Sequence, residues 1–527
     1  MSFARRGHCL IPATSVPLPL QTVSRSKSGL PHKWVGARHV YAALLGEHGS
    51  ELGAIDEVTQ STSRSFLGQM LESAAGIQSD IPGDPRALKS WLESEHRATT
   101  GAYRGYLDDR RAGAPRRFFR SRSHALHFLK SVAPTKLVDG AWLYGLLPRW
   151  NDFRLAPLVR IYLEELGYGV PEQHHVLLYR QLLSQHGADR WNDLDDAHYV
   201  QGAIQLSLAH HAREFLPEVI GFTLGYEQLP LHLPISAHEL AELGLDPYYF
   251  SLHVTIDNAS TGHARRALQA ALDSLPRAGD ADAFYRRLRV GFMLNDVGMG
   301  TAAAIDSFDL DHELESVLAD KARIGAELHS GACRIGGRAV SDWLAEPGGI
   351  PAFLAALVAA GWIRRGADPS QSRFWHLLKD ERAPMFGVFD DYETQLISDW
   401  IADGSLDGIA VAAQPTHVGW LRRSAIAAAA ASSASGAAAD AGADAPGAIR
   451  TAPLHPHRAS AAQTIRRHLA TANARVDDDI RALAERVGYV TDTATALALL
   501  RGFMSPANHP SPAGLLATRI CSDLIGR

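Results

Sequence analysis

The chain has 527 residues, of which 46% are hydrophobic and 21% are charged, the proportions of an ordinary folded protein. This length exceeds what one hydrophobic core usually supports, so a main domain with accessory units is expected. The 52 basic and 57 acidic residues give a formal net charge of -5, and this near balance disfavours nucleic acid as a partner.

The start of the chain and the cysteines indicate the compartment. The apolar stretch near the N-terminus is broken by three prolines, unlike the continuous core of a signal peptide, so residues 1-35 are predicted to be a disordered lead-in. Cys9, Cys333 and Cys521 lie far apart and form no CxxC pair, which argues against a disulfide framework and a thiolate zinc site. No uninterrupted apolar run is long enough to span a bilayer. A cytoplasmic protein that contacts no membrane is expected.

Helical spacing dominates the chain from Asp84 to about Ala271. Apolar residues recur at i, i+3, i+4 and i+7 in segments such as SHALHFLKSV, APLVRIYLEEL and HHVLLYRQLLSQHG, whereas strand-like alternation is nearly absent. This pattern predicts a helical extension over 36-84, followed by an all-α multi-helix bundle over 85-308.

Three further units follow the bundle. The sequence of residues 309-424 predicts a small accessory domain, helical or winged-helix-like, with a hairpin around Gly361 to Trp375. The tract 425-459 is rich in Ala, Ser and Gly and has few large apolar side chains to bury, which is typical of a flexible linker. Residues 460-527 return to helical periodicity and predict a helical tail, which the linker would isolate from the bundle.

The first candidate for chemistry is a pair of residues near the end of the bundle. His253 and Asp257 are spaced i, i+4, which on a helix places both side chains on one face, where they could hold one metal ion. Imidazole with carboxylate suits iron or manganese, and the lack of thiolates argues against structural zinc. A His–Asp hydrogen bond on a helix surface is the alternative.

Further candidates lie upstream. Glu165 is predicted to close one helix and His175 to open the next, so that two helix ends converge. Asp139 interrupts an otherwise apolar helix, where a carboxylate needs a partner. Glu227 follows an apolar stretch and precedes a proline-bounded loop, where helix capping or a salt bridge is an equally open interpretation. Taken alone, Glu165 would also suit a solvated helix end, and His175 would suit the protein surface.

Taken in order, these residues resemble a known family. Asp139, Glu165 in Glu-x-Gly-x-Gly, His175, and the segment Phe250-x-x-His253-x-x-x-Asp257 form a series similar to that of the haem-oxygenase-like diiron oxidases, the iron-containing redox enzymes. The resemblance covers about residues 85 to 275. It implies a helical bundle with two iron ions between its core helices. The residues of this series would bind the ions, and Glu227 would either bridge the two ions or support the residues that bind them.

The resemblance also implies an activity. The expected function is that of a non-haem, iron-dependent oxidoreductase that activates dioxygen to oxidise a small organic substrate. Two iron ions are the expected cofactor, with manganese as the alternative metal, and the oligomeric state, monomer or homodimer, is left open. Tyr226, Tyr248 and Tyr249 could line the pocket, with an ordinary place in the hydrophobic core as the alternative for these aromatic residues.

The sequence departs from the family pattern at the end of the late helix. Ser260 stands where the family has its last histidine, and the nearest imidazole is that of His263. On an ideal helix His263 would lie about 15 Å along the axis from His253 and about 80° off its face, too far to join the site. Gly262 makes local unwinding conceivable, so His263 is kept as a candidate ligand.

Two other functions fit the same sequence. One is a haem-binding or cofactor-independent haem-oxygenase-like protein, in which His96 or His124 would be the proximal haem ligand. The other is a regulatory or scaffold protein that makes its contacts through the unit at 309-403.

Overall fold

The computed structural model describes residues 36–46, 53–256, 262–329, 332–403, 460–472 and 477–526. Within these ranges the protein is all-α apart from one two-stranded hairpin, as the helical periodicity predicts. The predicted lead-in over 1-35 and the predicted linker over 425-459 lie outside the described residues. None of the described helices combines the length and the apolar composition that a bilayer span requires.

Helices joined by short connections dominate the described part of the chain between residues 37 and 306. They are α1 (Ala37–Leu45), α2 (Glu57–Ala75), α3 (Leu88–Arg111), α4 (Arg122–Ser131), α5 (Ala133–Lys136), α6 (Ala156–Glu165), α7 (His175–Ser184), α8 (Asp196–His211), α9 (Leu216–Tyr226), α10 (His232–Glu242), α11 (Tyr248–Ile256), α12 (His263–Asp273), α13 (Ala281–Met293) and α14 (Thr301–Asp306). Short 3-10 helices lie between them at Pro85–Ala87, Ala141–Arg149, Gly167–Gly169, Pro171–Gln173, Trp191–Asp193 and Leu294–Asp296.

Local sequence fixes several of these helix starts. The Asp56 side chain accepts a hydrogen bond from the backbone N–H of Thr59 at 2.7 Å, and Ser121 caps α4 in the same way. Such caps satisfy backbone donors that have no partner inside the helix. The helices then bury their apolar faces in a shared core that includes Leu67 of α2 and Phe222 of α9, so the predicted N-terminal extension packs as part of the bundle core.

The accessory unit has a hydrophobic core of its own, which contains Phe353, Leu357 and Ile401. Its elements are α15 (Leu310–Leu328), β1 (Arg334–Ile335), β2 (Arg338–Ala339), α16 (Val340–Ala345), α17 (Ile350–Ala359), a 3-10 helix at Pro369–Gln371, α18 (Arg373–Lys379) and α19 (Asp391–Ala402).

The hairpin of this unit is not where the sequence predicted it. The strands β1 and β2 pair antiparallel on either side of the Gly336-Gly337 turn, a dipeptide that favours tight hairpins. The stretch from Gly361 to Trp375 instead leads through a short 3-10 helix into α18, so the prediction of a hairpin there is wrong.

The tail contains α20 (Ala461–Thr471), α21 (Asp478–Val487), α22 (Thr493–Phe503) and α23 (Pro512–Ile525). Its residues Ile465, Leu483, Leu500 and Ile520 are fully buried in the same core cluster as Trp142 of the bundle. The expectation that the tail is isolated from the bundle is therefore wrong. An amphipathic helix must bury its apolar face, and the helices of the tail bury theirs against the bundle.

Candidate metal centre

The site begins where two helices meet end to end. Glu165 is the last residue of α6 and His175 is the first residue of α7, as the sequence predicts. The chain between them runs through the 3-10 helices Gly167–Gly169 and Pro171–Gln173, which return it to the same place. Both side chains are buried. A carboxylate and an imidazole therefore face each other inside the protein.

Two further residues join this pair in a first cluster. Asp139, Glu165, His175 and His253 each offer a ligand atom, and these atoms all lie within 4.8 Å of one another. The Oδ2 atom of Asp139 lies 3.2 Å from Nε2 of His253 and 3.8 Å from Nδ1 of His175. Asp139 lies in the connection between α5 and the 3-10 helix Ala141–Arg149, rather than inside an apolar helix as expected.

A second cluster shares one of these residues. Glu165, Glu227 and His263 offer ligand atoms within the same mutual distance. Nδ1 of His263 lies 3.0 Å from Oε2 of Glu227 and 3.4 Å from Oε1 of Glu165. Because Glu165 contributes one oxygen to each side, the two clusters adjoin at a single buried carboxylate.

The position of His263 corrects the regular-helix argument. The described part of α11 extends to Ile256, and α12 begins at His263 directly after Gly262, whose extended conformation with φ −81° and ψ −161° interrupts any continuous helix. The rise and rotation of one continuous helix do not apply across this break, so His263 reaches the site after all. Asp257 and Ser260 lie outside the described residues, and the assignment of Asp257 as a ligand stays a prediction.

Hydrogen bonds fix which nitrogens face the carboxylates. Nδ1 of His253 lies 2.8 Å from the backbone oxygen of Tyr249, which can only accept, so Nδ1 carries a proton and any lone pair that the ring offers is on Nε2, facing Asp139. Nε2 of His263 lies 2.7 Å from Oε2 of Glu164, an ionised carboxylate that also accepts, which leaves the Nδ1 lone pair facing Glu227. A lone pair that faces a carboxylate requires a proton or a cation between them.

The imidazole of His175 also faces a carboxylate and needs a proton or a cation between them. Nδ1 of His175 contacts Oε2 of Glu165, yet among the described residues neither atom has a partner with hydrogen-bond geometry. Buried polar atoms in this state are costly unless something satisfies them, and a metal ion between the two would do so. Carboxylate and imidazole donors without thiolates fit iron or manganese. The residues present therefore fit the metal that the sequence suggested.

Two phenols and a lysine hold Asp139 in place. The hydroxyl of Tyr226 donates to Oδ1 of Asp139 at 2.7 Å, and that of Tyr249 donates to Oδ2 at 2.5 Å. Lys136 donates from Nζ to the Tyr226 oxygen at 3.1 Å. Burial alone would raise the pKa of Asp139, but the charge of Lys136 and the two neighbouring histidines hold that pKa well below its usual range. The carboxylate is thus kept ionised and oriented.

Glu164 is a functional candidate that the sequence analysis missed. Its Oε2 atom accepts hydrogen bonds from Nε2 of His263 and from Arg266, and its Oε1 accepts one from the hydroxyl of Tyr168 at 2.7 Å. Burial would raise the pKa of Glu164, but the contacts with His263 and Arg266 lower it to about 2. A carboxylate behind a metal-binding imidazole fixes the tautomer and the orientation of that ring. Only its position next to Glu165 could have signalled this role.

The backbone at Gly140 allows the close approach of Glu165. Gly140 has φ 79°, in the left-handed region, and a Cβ atom on it would lie 2.7 Å from Cβ of Glu165. Asp139 and Glu165 can therefore share one cluster because the residue between their backbones has no side chain.

His124, one of the two histidines proposed as a haem ligand, is engaged elsewhere. Nε2 of His124 lies 2.8 Å from the backbone oxygen of Ile305, its Nδ1 accepts from the N–H of Arg120, and its ring stacks on Phe308. Burial lowers the pKa of His124 to about 4, so the ring is neutral and both nitrogens are occupied. His124 stabilises the fold and leaves no nitrogen for a haem iron.

Comparison with known proteins agrees with this geometry. Residues 126–292 match the family model described as iron-containing redox enzyme, and all candidate ligands from Asp139 to His263 lie inside the match. No curated protein and no solved structure matches the chain. Over residues 126–292 the chain is therefore similar to the iron-containing redox enzyme family, the family that its sequence resembles.

Proposed function

We propose that this protein is a non-haem diiron oxidoreductase that uses dioxygen to oxidise a small organic substrate. The observation that carries the proposal is the shared carboxylate of Glu165. Its Oε2 atom contacts His175 in one cluster, and its Oε1 atom lies 3.4 Å from Nδ1 of His263 in the other. A carboxylate that reaches two adjoining sets of donors suits a pair of neighbouring metal ions.

The ligands divide between two sites in this proposal. One ion would be held by Asp139, Glu165, His175 and His253, and the second by Glu165, Glu227 and His263, with Asp257 as a predicted further ligand. When bound, two ferrous ions supply the electrons that reduce dioxygen and the oxidising power directed at the substrate. The second site has fewer described donors, so we expect it to bind its ion more weakly.

The chain prepares this site in two ways. The buried side chains exclude bulk water, which strengthens every electrostatic interaction among them. Hydrogen bonds from Tyr226 and Tyr249 to Asp139, and from His253 to a backbone oxygen, hold the donors in their orientations before any ion arrives. Such preorganisation reduces the cost of assembling the site around a metal.

The test is anaerobic reconstitution with ferrous iron, followed by metal analysis and exposure to dioxygen. We expect close to two equivalents of iron per chain and rapid oxygen consumption, whereas the same protein loaded with zinc should consume none. Parallel loading with manganese would decide between the two metals. Stoichiometric zinc binding without affinity for iron, or an intense Soret band in the purified protein, would contradict the proposal.

A further inference from the structure

A buried pair of histidines joins the tail to the metal centre. His509 lies between α22 and α23, and His174 is the residue that immediately precedes α7. Nδ1 of His509 lies 2.9 Å from Nε2 of His174, and the two rings stack with centroids 4.9 Å apart at an angle of 25°. Both side chains are fully buried. The pair connects a segment beyond the iron-containing redox enzyme match to the helix that carries His175.

The direction of this hydrogen bond follows from the other contacts. Nδ1 of His174 accepts from the backbone N–H of Leu177, as the N-terminal cap of α7. A neutral His174 therefore carries its proton on Nε2 and donates it to Nδ1 of His509. The proton of His509 then sits on its Nε2, which has no hydrogen-bond partner in the described part of the chain. His509 thus accepts a hydrogen bond from His174, the residue that caps α7, while its own Nε2–H is buried without a hydrogen-bond partner among the described residues.

Other contacts of the tail fall on the same stretch of the bundle. The hydroxyl of Tyr162 donates to the backbone oxygen of Met504, and Nε of Arg519 donates to the backbone oxygen of Gly169 at 2.8 Å. Gly169 has φ 78°, and a Cβ on it would lie 2.2 Å from the backbone oxygen of Leu515, so the two backbones pack directly. Through these contacts the tail packs against the connection between Glu165 and His175.

We propose that the described parts of the C-terminal tail, 460–472 and 477–526, belong to the scaffold of the metal centre, with His509 as a positioning residue that fixes His174 and thereby holds His175 opposite Glu165. The inference rests on the proposed function, because it assigns a role in holding the proposed metal ligands. Its physical basis is the tight tolerance of metal sites, in which a displacement of about 0.5 Å in a ligand already weakens binding.

The experiment compares full-length variants for ferrous iron affinity, measured by competition with a chelator, and for the electronic absorption spectrum after cobalt loading, which reports ligand geometry. His509→Leu removes the acceptor and should weaken iron binding at least tenfold and shift the cobalt bands. His509→Asn places an amide oxygen on Cγ, where Nδ1 was, and should restore both readouts most of the way. Arg519→Met, which removes only the contact with Gly169, should weaken iron binding by about threefold.

A matched control separates positioning from general stability. Val487→Ala shortens a fully buried side chain on α21 in the same tail and should lower the melting temperature without changing the cobalt spectrum. The inference is overturned if His509→Leu binds iron like the unaltered chain, or if Val487→Ala loses iron to the same extent. Should His509→Leu fail to fold, Arg519→Met decides, and unchanged iron affinity in that variant would also overturn the inference. If the unaltered chain binds no iron, the proposed function itself fails, which is a separate outcome.

Discussion

Oε1 of Glu165 lies 3.4 Å from Nδ1 of His263, although the two residues come from α6 and α12. This contact makes Glu165 common to both donor clusters. Substitution of a residue that belongs to both clusters should therefore remove more metal ions than substitution of a residue that belongs to one cluster.

Substitution of Glu165 is therefore expected to have the larger effect. Glu165→Ala should reduce iron binding to near zero, because it removes a donor from both sites. His253→Ala and His263→Ala should each lose about one of two equivalents, since each histidine belongs to one cluster. Metal analysis after anaerobic reconstitution measures this, with Glu172→Ala, an exposed carboxylate nearby, as the control. Full iron content in His263→Ala would show that His263 is not a ligand.

The second prediction concerns the carboxylate behind His263. Glu164→Gln should weaken metal binding at the second site by about 10- to 100-fold, because the amide no longer fixes the His263 tautomer through a charged hydrogen bond. The first site should keep its ion. Titration with manganese, followed by electron paramagnetic resonance of the unbound ion, would resolve the two affinities. Equal weakening at both sites would mean that Glu164 acts through general stability.

The third prediction tests the close approach at Gly140. Gly140→Ala forces a side chain into the left-handed region and places a Cβ 2.7 Å from Cβ of Glu165, so it should lower the free energy of unfolding by about 1 to 3 kcal/mol and reduce iron content. Gly101→Ala is the control, because Gly101 lies on α3 with nothing near its Cβ position, and alanine there should be neutral or stabilising. Chemical denaturation and metal analysis measure both effects. A Gly140→Ala protein with normal iron content would refute the steric argument.

The fourth prediction is a pH dependence of metal binding. Burial alone would lower the pKa of His175, but Glu165 and Asp139 raise it to about 10, so the metal-free protein holds a proton there at neutral pH. That proton must leave before Nδ1 binds a metal, and the apparent affinity should therefore rise by roughly tenfold per pH unit below pH 10. Calorimetric titration with manganese in buffers of different ionisation enthalpy would count the released protons. His175→Gln has no such proton and should show a shallower slope; the same slope in both proteins would assign the proton elsewhere.

The fifth prediction follows from the shared core of the tail and the bundle. A chain that ends at residue 403 would expose the surface against which Ile465, Leu483, Leu500 and Ile520 pack. Each such side chain contributes about 1.5 to 3 kcal/mol by burial, so the loss of several is comparable to the whole stability of a typical domain, and the truncated chain should aggregate or lose cooperative unfolding. Replacing 425-448 with a Gly/Ser sequence of equal length is the control and should unfold normally. A truncated chain that unfolds cooperatively and binds iron would contradict this expectation.

The amino-acid sequence by itself determined the local features of this protein. Apolar spacing predicted the helices, and the glycines and proline after Glu165 predicted that one helix ends there and another begins at His175. These features depend on neighbouring residues, through backbone hydrogen bonding and side-chain spacing, so they can be read along the chain. The same pattern carried the resemblance that the family match over 126–292 confirms.

Only the tertiary structure decided which distant groups meet. Continuing one ideal helix placed His263 out of reach, but Gly262 is extended immediately before α12, and an interrupted helix changes the position and direction of every later residue. The contact of Glu164 with His263 and the docking of the tail through His509 likewise join segments far apart in sequence. Periodicity states which face of a helix is apolar, whereas the partner of that face depends on packing between helices, which no local pattern specifies.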